Sequence, residues 1–157
     1  MFEQRKLNLD LTALALLAVV AFLAVALATY DAADPPGSLV YPEPTVVNNA
    51  CGRLGAWVAA WLFAGFGIGA YYVVASLAVF DFALLARRQI EQPVLRLVGW
   101  TLSLIALTTL ASMALPGLAP GPVIGPGGYL GAAGRGLLES HFATAGAYIL
   151  TISVLFG

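Results

Sequence analysis

The sequence predicts an all-α integral membrane domain, a single unit over residues 1–157, with four transmembrane helices. A short interfacial helix is expected before the fourth, with both termini cytoplasmic. Three observations predict this. Ionisable side chains other than tyrosine are missing from Leu11–Tyr30, Leu54–Phe80, Leu97–Gly134 and Phe142–Gly157. Wholly apolar runs of about 20 residues suit a hydrocarbon core of ~30 Å, whereas shorter apolar runs of up to about 14 suit a buried soluble helix. The chain is 61% hydrophobic and only 10% charged, with a mean hydropathy of +0.91, where an average soluble domain is roughly 25% charged. Finally, Arg5, Lys6, Arg87, Arg88 and Arg96 fall on one side of a four-span arrangement, and Arg53 and Arg135 on the other. Excess Lys/Arg in short loops marks the cytoplasmic face, so both termini are expected inside.

The first span is expected at about 11–30. Arg5-Lys6 and Ala26-Leu27-Ala28 resemble the ends of a secretory signal. The apolar run between them exceeds the ~7–15 residues of a signal core, so a retained span is expected instead. Alanines 21, 24 and 28 share a face that admits a close neighbour. Pro35, Pro36, Pro42 and Pro44 then forbid a continuous helix and predict an irregular loop. The second span is expected at about 56–85, inside an apolar stretch, Leu54–Leu85, that is too long for one perpendicular crossing. As a single helix it would measure about 48 Å, so part of it must tilt, protrude or lie along the interface. Trp57 and Trp61 suit the headgroup level. A charged turn, Arg87–Pro93, is expected to end that helix at the proline and reverse the chain. The third span is expected at about 94–115. Pro116–Gly128, with four prolines and five glycines, excludes regular structure. Gly131–Ser140 is expected as the interfacial helix, and the last span at about 137–157.

This composition excludes several function classes. A net charge of -1, with scattered Lys/Arg, gives no basic nucleic-acid surface. Lys6 is the sole lysine and lacks the preceding glycines of a P-loop. Gly65–Ala70 formally matches a relaxed dinucleotide pattern, but without a preceding strand it reads as helix packing. Cys51, the single cysteine, can form neither an internal disulfide nor a multi-cysteine metal site. Asp81 is an acid embedded in an apolar stretch, where a charge costs at least ~2.5 kcal/mol. Six residues before Arg87, it reads first as a solvated or arginine-paired group near the headgroups, and second as a proton- or ion-coupling acid. His141, the lone histidine, follows Glu139 and Ser140. Residues two apart do not face each other on a helix, so an interfacial histidine is expected. No catalytic, cofactor or metal constellation emerges.

Small residues are instead abundant in and beside the membrane segments. Gly52, Gly55, Gly65, Gly69, Gly127, Gly128 and Gly131 are the candidates for helix packing or oligomer contacts, with G-x-x-x-G spacing at 65/69 and 127/131. Glycine at such positions lets backbones approach closely. Packing within the unit is favoured over contacts between copies.

Asn49, followed by Gly52, Gly55 and Ala56 at the entry to the second span, resembles a segment of the FtsK/SpoIIIE DNA translocases. Asp34-Pro35 is similar to the D-P element of that family. Gly127–Leu138 followed by Phe142–Ala147 resembles its glycine-rich approach to the fourth span. Asp81 departs from the family pattern, and so does the proline-rich loop. The resemblance implies the N-terminal four-span anchor of a translocase in the bacterial inner membrane, at the division septum, acting in cell division and chromosome segregation. It further implies a homo-oligomer (a hexamer), contacts with other division proteins, and a cytoplasmic linker and motor beyond residue 157. ATP, Mg and DNA would be bound only by that motor. Two other readings stay open: a small transporter or channel-like protein using Asp81, and an accessory subunit of a membrane complex.

Overall fold

The structure, a computed structural model, describes residues 2–37, 40, 44, 46–86, 92–118 and 124–156. Side chains are described at position 7 and from 10 onward within those ranges. The expected inside turn at 87–91 and the side chains of Arg5 and Lys6 lie outside the described residues.

Five helices account for the regular structure among the described residues: α1 (Phe2–Ala28), α2 (Gly52–Phe66), α3 (Gly69–Leu85), α4 (Pro93–Ala114) and α5 (Gly128–Phe156). Two segments, Asp10–Ala28 and Pro93–Ala114, are long and apolar enough to cross a membrane, and α2 with α3 form a third candidate only if that bent pair is one span. Just 22% of the first segment and 28% of the second are buried within the protein. Leu11, Leu14 and Leu17 on α1, and Val94, Leu95 and Leu97 on α4, point outward. Large side chains exposed along whole helix faces are stable only against hydrocarbon.

The stretch expected as the second span, 56–85, is divided between two helices in the structure. α2 ends at Phe66 with Gly67 as its C-cap, α3 begins at Gly69, and their axes bend by 110°. Gly67 adopts φ 55°, ψ −132°, a conformation that glycine reaches without a Cβ clash. Its N–H still closes the last turn of α2 on the Phe63 carbonyl at 2.8 Å. The N–H of Ile68 is taken by the Pro126 carbonyl at 2.7 Å, which anchors the corner to the segment before α5.

α4 occupies the region expected for the third span. Pro93 sits at its first turn, where a missing N–H costs no intrahelical bond. The proline therefore opens α4 rather than closing the helix before it, and α3 has already ended at Leu85. The expected interfacial helix at 131–140 and span at 137–157 are joined in α5, which begins at Gly128 and breaks only at Ala143 (φ 52°, ψ 175°).

Two packed centres result. Val20, Ala26 and Leu27 of α1 gather with Ala59 and Phe63 of α2 and Ala70 and Val74 of α3 in an apolar cluster. Tyr30 and Tyr71 flank the Phe63 ring at 4.9 and 5.6 Å between centroids. The second centre is the α4–α5 pair, whose buried α4 face carries Thr108, Thr109 and Ser112 beside Leu104, Ala106 and Ala111.

Candidate functional site

The polar groups concentrate in a clasp joining α1 to α2 and in a glycine seam joining the α2–α3 corner and α4 to α5.

The clasp begins with the carbonyls that α1 leaves unpaired at its C-terminus. Such groups need partners when buried. Asn49, 3% exposed, donates its side-chain amide to the carbonyls of Ala26 (2.8 Å) and Thr29 (3.2 Å). Its Oδ1 accepts the N–H of Cys51 at 3.0 Å, at the entrance to α2. One side chain thus caps the end of one helix and steadies the start of the next. Asp34, also 3% exposed, holds Asn49 in place. Its Oδ1 accepts the backbone N–H of Asn48 at 2.9 Å and its Oδ2 that of Asn49 at 2.8 Å. Hydrogen bonds to a charged acceptor are the stronger kind, about 1.5–3 kcal/mol each.

Thr29 donates to the Val25 carbonyl at 2.8 Å and accepts the N–H of Ala50 at 3.1 Å. Asp31 accepts the N–H of Ala33 and the Asn48 side-chain amide, both at 2.9 Å. The Ala33 bond first, then the Asn48 bond, hold the Asp31 carboxyl below the ordinary aspartate range. The structure therefore brings together Asp34 and Asn49, which the sequence places in separate elements of the family pattern. Thr29 and Asn48 were missed, because a threonine at a helix end and a second asparagine carry no spacing signal.

The seam depends on missing side chains. A Cβ on Gly127 or Gly131 would sit on the carbonyl of Thr108 and on Ser112 Oγ, and one on Gly134 would sit on Thr109 Oγ1. A Cβ on Gly67 would strike the Pro126 carbonyl, and one on Gly128 would crowd the Gly67 nitrogen. A Cβ on Gly69 would press on the Thr108 methyl, which joins the corner, α4 and α5 at one residue. Gly55 belongs to the clasp instead, against Cys51 and Asn49. Gly52 and Gly65 have open space where a Cβ would be, although Gly52 holds φ +66°. The spacing of Thr108 and Ser112 on α4 equals that of Gly127 and Gly131, a complementarity that the glycines alone could not reveal.

Arg135 closes the far end of the seam. Its Nη1 donates to the Ser112 carbonyl at 3.0 Å and its Nε pairs with Glu139 at 3.1 Å. A cation there complements the negative end of α4.

The remaining ionisable and nucleophilic residues stand apart from one another. His141 Nδ1 lies 2.9 Å from both Ser140 Oγ and the Leu137 carbonyl, while Glu139 is engaged by Arg135. Cys51 Sγ is 3.6 Å from the Phe22 carbonyl. Asp81 is 2% exposed and its Oδ1 has no partner. This corrects its first reading as a solvated acid; Arg87 and Arg88 lie outside the described residues. Among the described residues no group of three or more His, Cys, Asp and Glu is arranged to hold a metal ion.

Apolar helix faces turned outward, a capped helix junction and a glycine-lined helix pair define a multi-pass helical membrane domain. The family model described as the 4TM region of DNA translocase FtsK/SpoIIIE matches residues 5–157. The chain belongs to that family, and membership implies the membrane anchor region of a translocase of this type. No solved structure matches the chain.

Proposed function

We propose that this domain is the assembly anchor of a septal DNA translocase in the bacterial inner membrane, with both termini cytoplasmic. It has no chemistry of its own. A linker and an ATP- and Mg-dependent motor follow on the cytoplasmic side and pump DNA during cell division and chromosome segregation. The anchor assembles as a homo-oligomer, a hexamer, and contacts other division proteins. Gly55, Gly69, Gly127, Gly128 and Gly131 set the packing within one copy. Gly52 and Gly65, with open space beside them, are the candidates for contacts between copies.

The observation that carries this reading is the family match across residues 5–157. The test is localisation of the chain fused at its C-terminus to a fluorescent protein in dividing bacteria. Enrichment at midcell is expected, and uniform labelling of the cell periphery would overturn the septal role. Orientation is tested separately: Cys51 should react with an impermeant thiol reagent applied from outside, and reaction only from the cytoplasmic side reverses the topology. The reading frame beyond Gly157 should encode a Walker A motif well downstream, and a stop codon there would remove the motor.

A second reading has its own observation, the buried and unpartnered Asp81 Oδ1. As a small transporter, the domain would use this carboxylate to couple a proton or cation. Asp81→Asn would then abolish uptake into proteoliposomes, whereas the anchor reading expects normal localisation of that variant.

A further inference from the structure

We propose that α5 is a sprung helix. Its two halves, 128–142 and 144–156, are each anchored by packing, a strained hinge at Ala143 joins them, and the helix straightens when either half is released.

The backbone supplies the first observation. Ala143 has φ 52° and ψ 175°, whereas the residues on either side continue as helix. Glycine reaches that region freely, but the Cβ of an alanine crowds the backbone there. Strain of this kind persists only where the surroundings impose it. The joint itself cannot impose it, since positions 141–145 are all exposed. The two halves can. On the near side, Gly131 rests on the Thr108 carbonyl and Arg135 donates to the Ser112 carbonyl. On the far side, Ala147 and Thr151 are 0% and 3% exposed. Each half keeps its own seat, and the joint takes up the misfit.

The second observation lies on the inside of the bend. A Cβ on Gly146 would come to 3.0 Å from the Cβ of Phe142, one turn earlier. In a regular helix, Cβ atoms four residues apart are separated by about 5–6 Å. Gly136, in the unbroken part of the same helix, has nothing within 4 Å of that position. The backbone is therefore folded toward the Phe142 side, and the missing side chain at Gly146 leaves the room. Local hydrogen bonding favours the same bend. Ser140 Oγ donates to the Leu137 carbonyl at 2.9 Å, and His141 Nδ1 lies at the same distance from it. Side chains that enter the carbonyl ladder in this way bend helices.

Straightening α5 would draw Ala147 and Thr151 from their buried seat, or lift Gly131 and Arg135 from α4. A pull on the end of α5 is thereby felt at the seam, and loosening the seam frees the end. This is a two-state element of the hinge type.

The sign of two substitutions tests the strain. In a regular helix, alanine to glycine lowers stability and glycine to alanine raises it. For the full chain in mixed micelles, Ala143→Gly should instead raise the unfolding midpoint by at least about 2 °C, and Gly146→Ala should lower it. A midpoint unchanged or lowered by the first, or unchanged or raised by the second, overturns the proposal. Spin labels at Leu137 and Val154, both exposed, test the release in a Cys51→Ser background. A straight helix would separate these positions by about 26 Å. The parent distance should be shorter, and it should lengthen toward that value in Gly146→Ala and in Arg135→Ala. A parent already at the straight-helix distance, or a distance unchanged in either variant, would remove the hinge. Neither readout depends on septal localisation or on transport.

Discussion

The clasp between α1 and α2 and the seam between α4 and α5 solve the same problem, joining two helices, by opposite means. The clasp adds polar groups: Asn49, Asp34 and Thr29 supply hydrogen bonds to helix ends whose backbone groups would otherwise be unpaired. The seam removes atoms: Gly127, Gly131 and Gly134 bring the α5 backbone onto the Thr108 carbonyl and the hydroxyls of Ser112 and Thr109. The difference follows the surroundings. A chain leaving the membrane has loop amides to satisfy and side chains able to reach them. In hydrocarbon, helices gain little from mutual hydrophobicity, and close van der Waals packing over small residues takes that role.

The comparison predicts unequal sensitivities. Gly131→Val should be the most damaging change, because its branched side chain must displace backbone as well as Ser112. A loss of about 3 kcal/mol is expected, read as a lower unfolding midpoint in mixed micelles. A variant as stable as the parent would mean that the α4–α5 pair is not packed over glycine. Asn49→Ala should come next, at about 2 kcal/mol, since it leaves the Ala26 and Thr29 carbonyls and the Cys51 N–H without their partner. Asn49→Asp should not restore it, because the carboxylate lacks the two donated hydrogens; full rescue would show that only the acceptor matters. Gly65→Ala, with open space around it, should alter monomer stability by less than about 0.5 kcal/mol. A large effect there would locate a neighbour that the single chain does not contain.

The smallest effect concerns pH. Asp31 has its carboxyl held low by the Ala33 N–H and then by Asn48. A group depressed in the folded state contributes stability above its unfolded value and loses it as pH falls through the folded one. The clasp should therefore weaken only below the ordinary aspartate range. Asp31→Asn should flatten that acid limb of the unfolding profile, and an unchanged limb would assign it to another carboxylate.

Much of the architecture was legible because the period and length of apolar runs report helices directly. α1 and α4 cover most of 11–30 and 94–115; the ends of α4 shift by one residue, with Pro93 in its first turn, whereas α1 starts well before the expected span, at Phe2, and stops at Ala28. The corner at Gly67 was not legible. A glycine among G-x-x-x-G repeats reads equally as a packing surface and as a break, and the choice is made by the Pro126 carbonyl, about sixty residues away in sequence. The family-like placement of Asp34 and Asn49 was visible, but their joint action on the end of α1 was not, since fourteen or more residues of proline-rich loop separate the partners of each bond.

What the sequence determined by itself was the solvent. Charge scarcity over lengths that match a bilayer makes hydrocarbon the medium of these helices, and no tertiary detail is needed to see it. Tertiary structure decided which glycines touch a neighbour and where the second apolar stretch turns. It also decided that Asp81 is buried. Each of these depends on atoms brought together from distant parts of the chain, and local pattern carries no information about such meetings.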